Sequence, residues 1–248
     1  VAAVPASNPD FAYISSGTWS LMGAELREPV ISAQALAGNF TNEGGVGGTF
    51  RFLRNITGLW LVQECRRAWA AQGQAYSYDE LTALAAGAAP LRSLVDPDAP
   101  EFLKPGDYPR LVQAYCRRTG QPVPESVGQV VRCALESLAL KYRQTFEQLE
   151  SILGRRLEPV HIVGGGSRNR LLNQFTADAL GRRVVAGPVE ATAIGNILVQ
   201  AAALGELDWP AGARAVVRAS FDVVEFLPGD AAPWDEAYRR ARTVRSDE

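Results

Sequence analysis

Histidine, methionine and cysteine are scarce in this sequence: His161 and Met22 stand alone, and Cys65, Cys116 and Cys133 are the only cysteines. Three thiols cannot all pair with one another, which suits a reducing compartment, and a cytoplasmic location is expected. Cys116 and Cys133 would bridge only if two helices brought them together; free buried thiols are the simpler expectation. Long apolar runs are missing too. The longest are far too short to cross a bilayer and no secretory signal is visible, so no membrane partner is expected. Charge is balanced, with 25 Lys and Arg against 27 Asp and Glu for a formal net charge of -2, and the absence of a basic stripe argues against nucleic acid. The lone histidine lies in an apolar run with no serine or cysteine partner beside it, and reads as a buried or strand-edge residue rather than a catalytic one. The chain opens on Val1 rather than methionine, so a processed chain or an excised piece is expected.

What is present is 47% hydrophobic and 21% charged, a globular balance that can close a sizeable core in one large or two small domains. Residues 11–15 and 18–22, "FAYIS" and "TWSLM", read as two strands of a hairpin turning at Ser16 and Gly17. Residues 41–55, "TNEGGVGGTFRFLRN", read as a glycine-rich connection that can bring backbone close to a ligand. Helical spacing is expected over 56–69, 78–84 and 108–118, and over a long stretch, 126–153, where Val131, Leu135, Leu138, Tyr142, Phe146, Leu149 and Leu153 form one apolar stripe. Beyond it the pattern alternates strand 160–163, helix 168–180, strand 183–186 and helix 192–204, the signature of an α/β unit with a partly parallel sheet. A final amphipathic helix is expected over 234–244.

The densest signal is "EPVHIVGGGSRNRLLNQF", an apolar strand running through Gly164, Gly165 and Gly166 towards a helix. Such a turn bares backbone N–H groups at the strand's carboxyl edge, where a nucleotide can lie. Tight packing explains a glycine turn equally well. A dinucleotide-binding turn reads G-x-G-x-x-G with an acid after the next strand; Glu190 is in place, but Asn169 stands where the third glycine belongs. An actin-like ATPase instead holds phosphates on a hairpin turn and adenosine on a separate glycine turn. "SSGTWSL" and "GGGS" supply both, in that order.

Three stretches together, "YISSGTWSLMG", "TNEGGVGGTFRFLRNITGLWLVQE" and "VHIVGGGSRNRLLNQFTADALGRRVVAGPVEATAIGNILVQA", resemble the C-terminal domain of the FGGY carbohydrate kinases over nearly the whole chain. The resemblance implies an actin-like (ribonuclease H-like) α/β domain with a mixed sheet flanked by helices. It implies ATP-dependent phosphorylation of a ketose, L-rhamnulose at its 1-hydroxyl first, with fuculose and xylulose as rivals; outside the family the alternatives are a nucleotide-binding module and a dinucleotide-dependent enzyme. Mg2+ would accompany the ATP. By the same resemblance Gly17 and Thr18 contact phosphate, Gly164, Gly165 and Gly166 form the adenosine site, Gln63 touches nucleotide and Asn55 touches the sugar. If 55 and 63 share a helix, about 12 Å of axis separates them; read without the resemblance, Asn55 is a helix cap and Gln63 a solvated polar residue. "EATAIGN" carries Ala191 and Gly195 four apart, small residues suited first to close helix packing and only second to a nucleotide pocket.

Transfer to a hydroxyl calls for a carboxylate that accepts its proton. In the family this is an aspartate of a His-Asp-Thr motif lying ahead of the segment that corresponds to 11–15, so the base is expected before Val1. No metal ligand is assigned within the chain. The expectation is therefore a nucleotide-binding half, residues 1–248, whose partner is a missing N-terminal kinase domain and which does not turn over substrate alone.

Overall fold

The computed structural model describes residues 1–246. The expected hairpin is formed by β1 (Ala12–Ser16) and β2 (Trp19–Leu26), with Ser16 opposite Ser20 at its closed end. β1 also runs parallel to β5 (Val160–Val163), and β5 parallel to β6 (Val184–Ala186). On the other side β2 pairs antiparallel with β4 (Phe50–Thr57), and β4 with β3 (Thr41–Gly44). An antiparallel edge strand, β7 (Val224–Phe226), completes a seven-stranded mixed sheet in the order β3-β4-β2-β1-β5-β6-β7.

Residues 41–55 are thus not a loose connection. They are two paired strands with a single 3-10 turn, Val46–Gly48, between them, and only that turn uses glycine's positive φ, at Gly47 and Gly48. Phe52 and Ile56 are both fully buried on one face of β4, and Phe52 stacks on Phe40 with ring centroids 5.0 Å apart. The helix expected from 56 begins later, at α2 (Trp60–Ala71), because Thr57 is still paired with Trp19 in the sheet.

The remaining helices are α1 (Ala33–Ala37), α3 (Tyr78–Ala86), α4 (Tyr108–Arg118), α5 (Val127–Leu153), α6 (Arg170–Leu180), α7 (Ala191–Ala203), α8 (Ala211–Ser220) and α9 (Ala232–Ser246). α5 starts at a capping box, in which Ser126 and Gln129 satisfy each other's backbone N–H groups, and stops at Gly154, whose φ of 63° is left-handed. Its apolar stripe, from Val131 through Leu149, joins Ile14, Met22, Phe52, Ile56 and Ile162 in one continuous core beneath the sheet. On the opposite face Tyr13, Leu53 and Val163 meet Val4, Ala6 and Phe11 in a much smaller cluster.

Cys65, Cys116 and Cys133 are all free and buried, as expected. Cys116 on α4 and Cys133 on α5 are hydrogen-bonded neighbours, and that contact together with burial pushes the Cys133 thiol well up. No helix among the described residues is long and apolar enough to cross a membrane.

Candidate nucleotide site

Because β1 and β5 are adjacent and parallel, with Ser15 beside Val163, their carboxyl ends deliver the hairpin turn and the glycine turn to the same place. The hairpin turn is Gly17 and Thr18, both half-buried. It is fixed from below by the start of α2: the Leu59 N–H donates to the Gly17 carbonyl at 3.0 Å and the Trp60 N–H to the Thr18 carbonyl at 3.1 Å. Gly58 makes this approach close, since an added Cβ would lie 2.7 Å from Ser20 Oγ and 2.8 Å from the Gly17 oxygen. Behind the turn, Ser20 Oγ and the Tyr142 hydroxyl of α5 share a hydrogen bond of 2.6 Å, and burial raises the Tyr142 hydroxyl to about 12, so it stays protonated.

The three glycines divide their work. Gly164 has a φ of 88°, which favours glycine, and a Cβ there would sit 2.9 Å from the Ser16 carbonyl. Gly166 is buried against Ser16, whose Oγ would lie 2.0 Å from an added Cβ. Gly165 has neither reason: it is exposed, its φ is ordinary for an L-residue and none of the described residues stands within 4 Å of where its Cβ would be. Packing therefore accounts for the outer two glycines and not for the middle one, which presents bare backbone to solvent beside the hairpin turn. That is a cradle into which a side chain would project and against which a flat base or a phosphate can rest.

The turn does not pass directly into its helix as expected. One turn of 3-10 helix, Gly165–Arg168, intervenes, and Asn169 then caps α6 by accepting the Leu172 N–H at 3.0 Å. Asn169, which breaks the dinucleotide pattern, is here a helix cap. Asn173 supports the turn from α6, donating to the Ser167 carbonyl at 2.8 Å.

Asn55 and Gln63 are not on one helix. Asn55 is exposed on β4 opposite Leu21, whereas Gln63 is half-buried in the first turn of α2, and the Gly58 turn lies between them. The 12 Å helical span therefore does not apply, and Asn55 caps no helix. Gly195 is buried against the chain's first residues, with Ala2 Cβ 3.2 Å from an added Cβ, as close packing requires. His161 is 3% exposed, with no hydrogen-bond partner on either nitrogen among the described residues. Burial, with Arg214 next in strength, lowers it to about 4, so the ring is neutral near pH 7. Among the described residues no group of three or more His, Cys, Asp or Glu side chains could hold a metal ion.

Residues 12–204 match the FGGY family of carbohydrate kinases, C-terminal domain. The chain belongs to that family. Curated relatives include proteins named rhamnulokinase, from Bacteroides thetaiotaomicron at 54% identity over 96% of this chain and from Enterococcus faecalis at 48% identity over 88%. The chain spans about half the length of these relatives, 48% and 44%. Solved kinase structures superpose over almost the whole chain. A ligand-bound xylulose kinase from Lactobacillus acidophilus matches with a TM-score of 0.68 at 12% identity, and a Plasmodium falciparum glycerol kinase with ADP with 0.66 at 13%. Each covers 99% of this chain and 48% of its own, and together they establish the actin-like ATPase fold. Sequence reasoning gave no site role to Gly58, Ser16 or Tyr142: it read Ser16 only as part of the hairpin turn and Tyr142 only as part of an apolar stripe, and it passed over Gly58, a lone glycine between a strand and a helix.

Proposed function

We propose that this chain is the nucleotide-binding half of an ATP-dependent sugar kinase that phosphorylates a ketose, L-rhamnulose at its 1-hydroxyl first among the candidates. The observation that carries the reading is Gly165, a glycine without a packing reason, exposed beside the Gly17 and Thr18 turn on the adjacent parallel strand. Gly17 and Thr18 take the phosphates, and Gly164, Gly165 and Gly166 the adenosine. Gln63 contributes from the first turn of α2, and Asn55 faces the sugar from the end of β4. The names of the curated relatives favour rhamnulose as acceptor.

In the transfer, the bond between the terminal phosphorus of ATP and its bridging oxygen breaks, a new bond forms to the sugar hydroxyl, and ADP departs. The hydroxyl proton passes to a carboxylate that we place in the N-terminal domain, as we do the further sugar contacts. Mg2+ bound with the ATP would offset the charge of its phosphates. This chain's part is to hold the phosphates by a backbone turn locked onto the start of α2, so that little reorganisation is needed when charge develops.

Calorimetry of this chain with ATP, ADP and NAD tests the reading. Binding of both adenine nucleotides in competition, with NAD inert, supports it; a preference for NAD overturns it. Assays of the full-length protein with L-rhamnulose, fuculose and xylulose rank the acceptors. Robust sugar phosphorylation by residues 1–248 alone would sink the assignment of the base to a preceding domain.

A further inference from the structure

Behind the hairpin turn lies a group of charges that the apolar core does not require. Lys141 on α5 has a side chain only 5% exposed, and its Nζ is 3.0 Å from Asp96 Oδ1 and 2.9 Å from Asp98 Oδ2. Asp98 Oδ1 accepts the Thr57 backbone N–H at 3.0 Å, and Arg54 Nη2 stands 3.8 Å from Asp98 Oδ2. Thr57 is paired with Trp19, the residue after Thr18. The next three residues, Gly58, Leu59 and Trp60, are those that grip Gly17 and Thr18 from below. A line of direct contacts therefore runs from Lys141 through Asp98 and Thr57 to the turn. The next residue on α5, Tyr142, reaches the same hairpin at Ser20.

Stability alone gives little reason for this arrangement. A buried ion pair replaced by well-packed apolar residues is often neutral or more stable, and α5 fills its neighbouring inward positions with Leu138, Ala139 and Leu140. What charge-assisted hydrogen bonds provide, and apolar contacts do not, is a short directional link that fixes where one backbone amide stands.

We propose that Lys141 is a positioning residue for the nucleotide's phosphates: through Asp98 and the Thr57 amide it sets the place of the Gly17 and Thr18 backbone without touching nucleotide itself. The inference rests on the reading of that turn as the phosphate site. It is distinct from a role in folding because its effect falls on one substrate.

The test uses the full-length protein with Lys141→Met, Lys141→Arg and Asp98→Asn, read by thermal melting, by KM for ATP and for sugar, and by amide exchange. Lys141→Met is expected to raise the KM for ATP about tenfold, as the loss of one charge-assisted link implies. The sugar KM should stay unchanged, and exchange should quicken at Thr57, Leu59 and Trp60 but not in β5 or β6. Lys141→Arg, which keeps the charge, should recover most of the ATP affinity. A folded Lys141→Met with the wild-type KM for ATP overturns the proposal, as does an equal rise in both KM values. Should Lys141→Met fail to fold, Asp98→Asn decides: it keeps an oxygen for Thr57 while losing the charge, and an unchanged KM for ATP overturns the proposal. A wild-type protein that neither binds nor uses ATP removes the functional reading and this inference together, whereas wild-type binding with indifferent variants removes the inference alone.

Discussion

The two faces of the sheet are built on different terms. The face towards α5 carries Ala12, Ile14, Met22, Phe52, Ile56, Val160 and Ile162 into one continuous apolar core shared with α2, α5 and α6. The opposite face carries Tyr13, Leu53, His161 and Val163, packs only small clusters, and opens into cavities of about 590 and 750 Å3. Its buried polar atoms include the Tyr13 hydroxyl, both His161 nitrogens and Arg214 Nε, none with a hydrogen-bond partner among the described residues, although Arg214 Nη2 is paired with Glu25. One face is a source of stability; the other spends part of it to keep charge and space inside. The candidate nucleotide site stands at the carboxyl ends of β1 and β5, and its hairpin is held from the α5 side, by Tyr142 on Ser20.

The sharpest way to break this contrast is to hollow out the first face. Phe52→Ala removes a fully buried ring stacked on Phe40, and is expected to cost about 3–5 kcal/mol in chemical denaturation. A loss under about 1 kcal/mol would mean that the two faces do not differ as described.

The second face should answer to pH instead. His161 is lowered to about 4 in the folded chain, from an ordinary 6.5, by burial and then by Arg214, Arg183 and Arg218. Its folded value lies below its unfolded one, so protons bind the unfolded chain more readily. The contribution is fully present above 6.5 and is lost as pH falls from there towards 4, by about 3 kcal/mol in all. Glu136, on α5, is raised by burial and works in the opposite sense, so the comparison to make is between wild type and His161→Phe. The variant should lose the decline between pH 6.5 and 4 in denaturation midpoints; an unaltered slope would show that His161 does not carry it.

Much of this architecture is written in local pattern, and the exceptions share a cause. The helix Tyr108–Arg118 and the strand Val160–Val163 stand where periodicity places them, and α5 begins one residue later than expected because Ser126 is its cap. β3 and β4 were hidden because glycines and arginines interrupt their alternation, and only pairing, of β4 with β2 and of β3 with β4, makes them strands. β7 is three residues long and owes its existence to the edge of β6. At the site, the glycine turn is legible, yet which glycine serves packing and which is free is not. That depends on Ser16, which the parallel pairing of β1 with β5 brings alongside. Tyr142 meets Ser20 across 122 residues of sequence, and such a contact leaves no trace in either neighbourhood.

The division of labour among the glycines sharpens the comparison at smaller scale. Gly166→Ala pushes a methyl group against Ser16 and should cost about 1–3 kcal/mol, with ADP binding lost as the turns separate. Gly165→Ala meets nothing, and should change stability by less than about 1 kcal/mol while weakening ADP binding in calorimetry. If the two variants behave alike in both measurements, Gly165 is not the open member of the turn.

The smallest effect is expected at the sheet's edge, outside both faces. Arg183 and Glu225 form an ion pair of 3.3 Å between the β6 side and β7, with side chains 41% and 54% exposed. Solvent screens such a pair and two long side chains lose freedom in making it, so Glu225→Gln should change stability by no more than about 0.5 kcal/mol. The value of the experiment lies in its reference. A neutral result at an edge held by backbone pairing shows that the sheet's charges matter through burial rather than number. A loss above about 1 kcal/mol would mean instead that β7 depends on its side chains to stay docked, and that the edge belongs with the polar face.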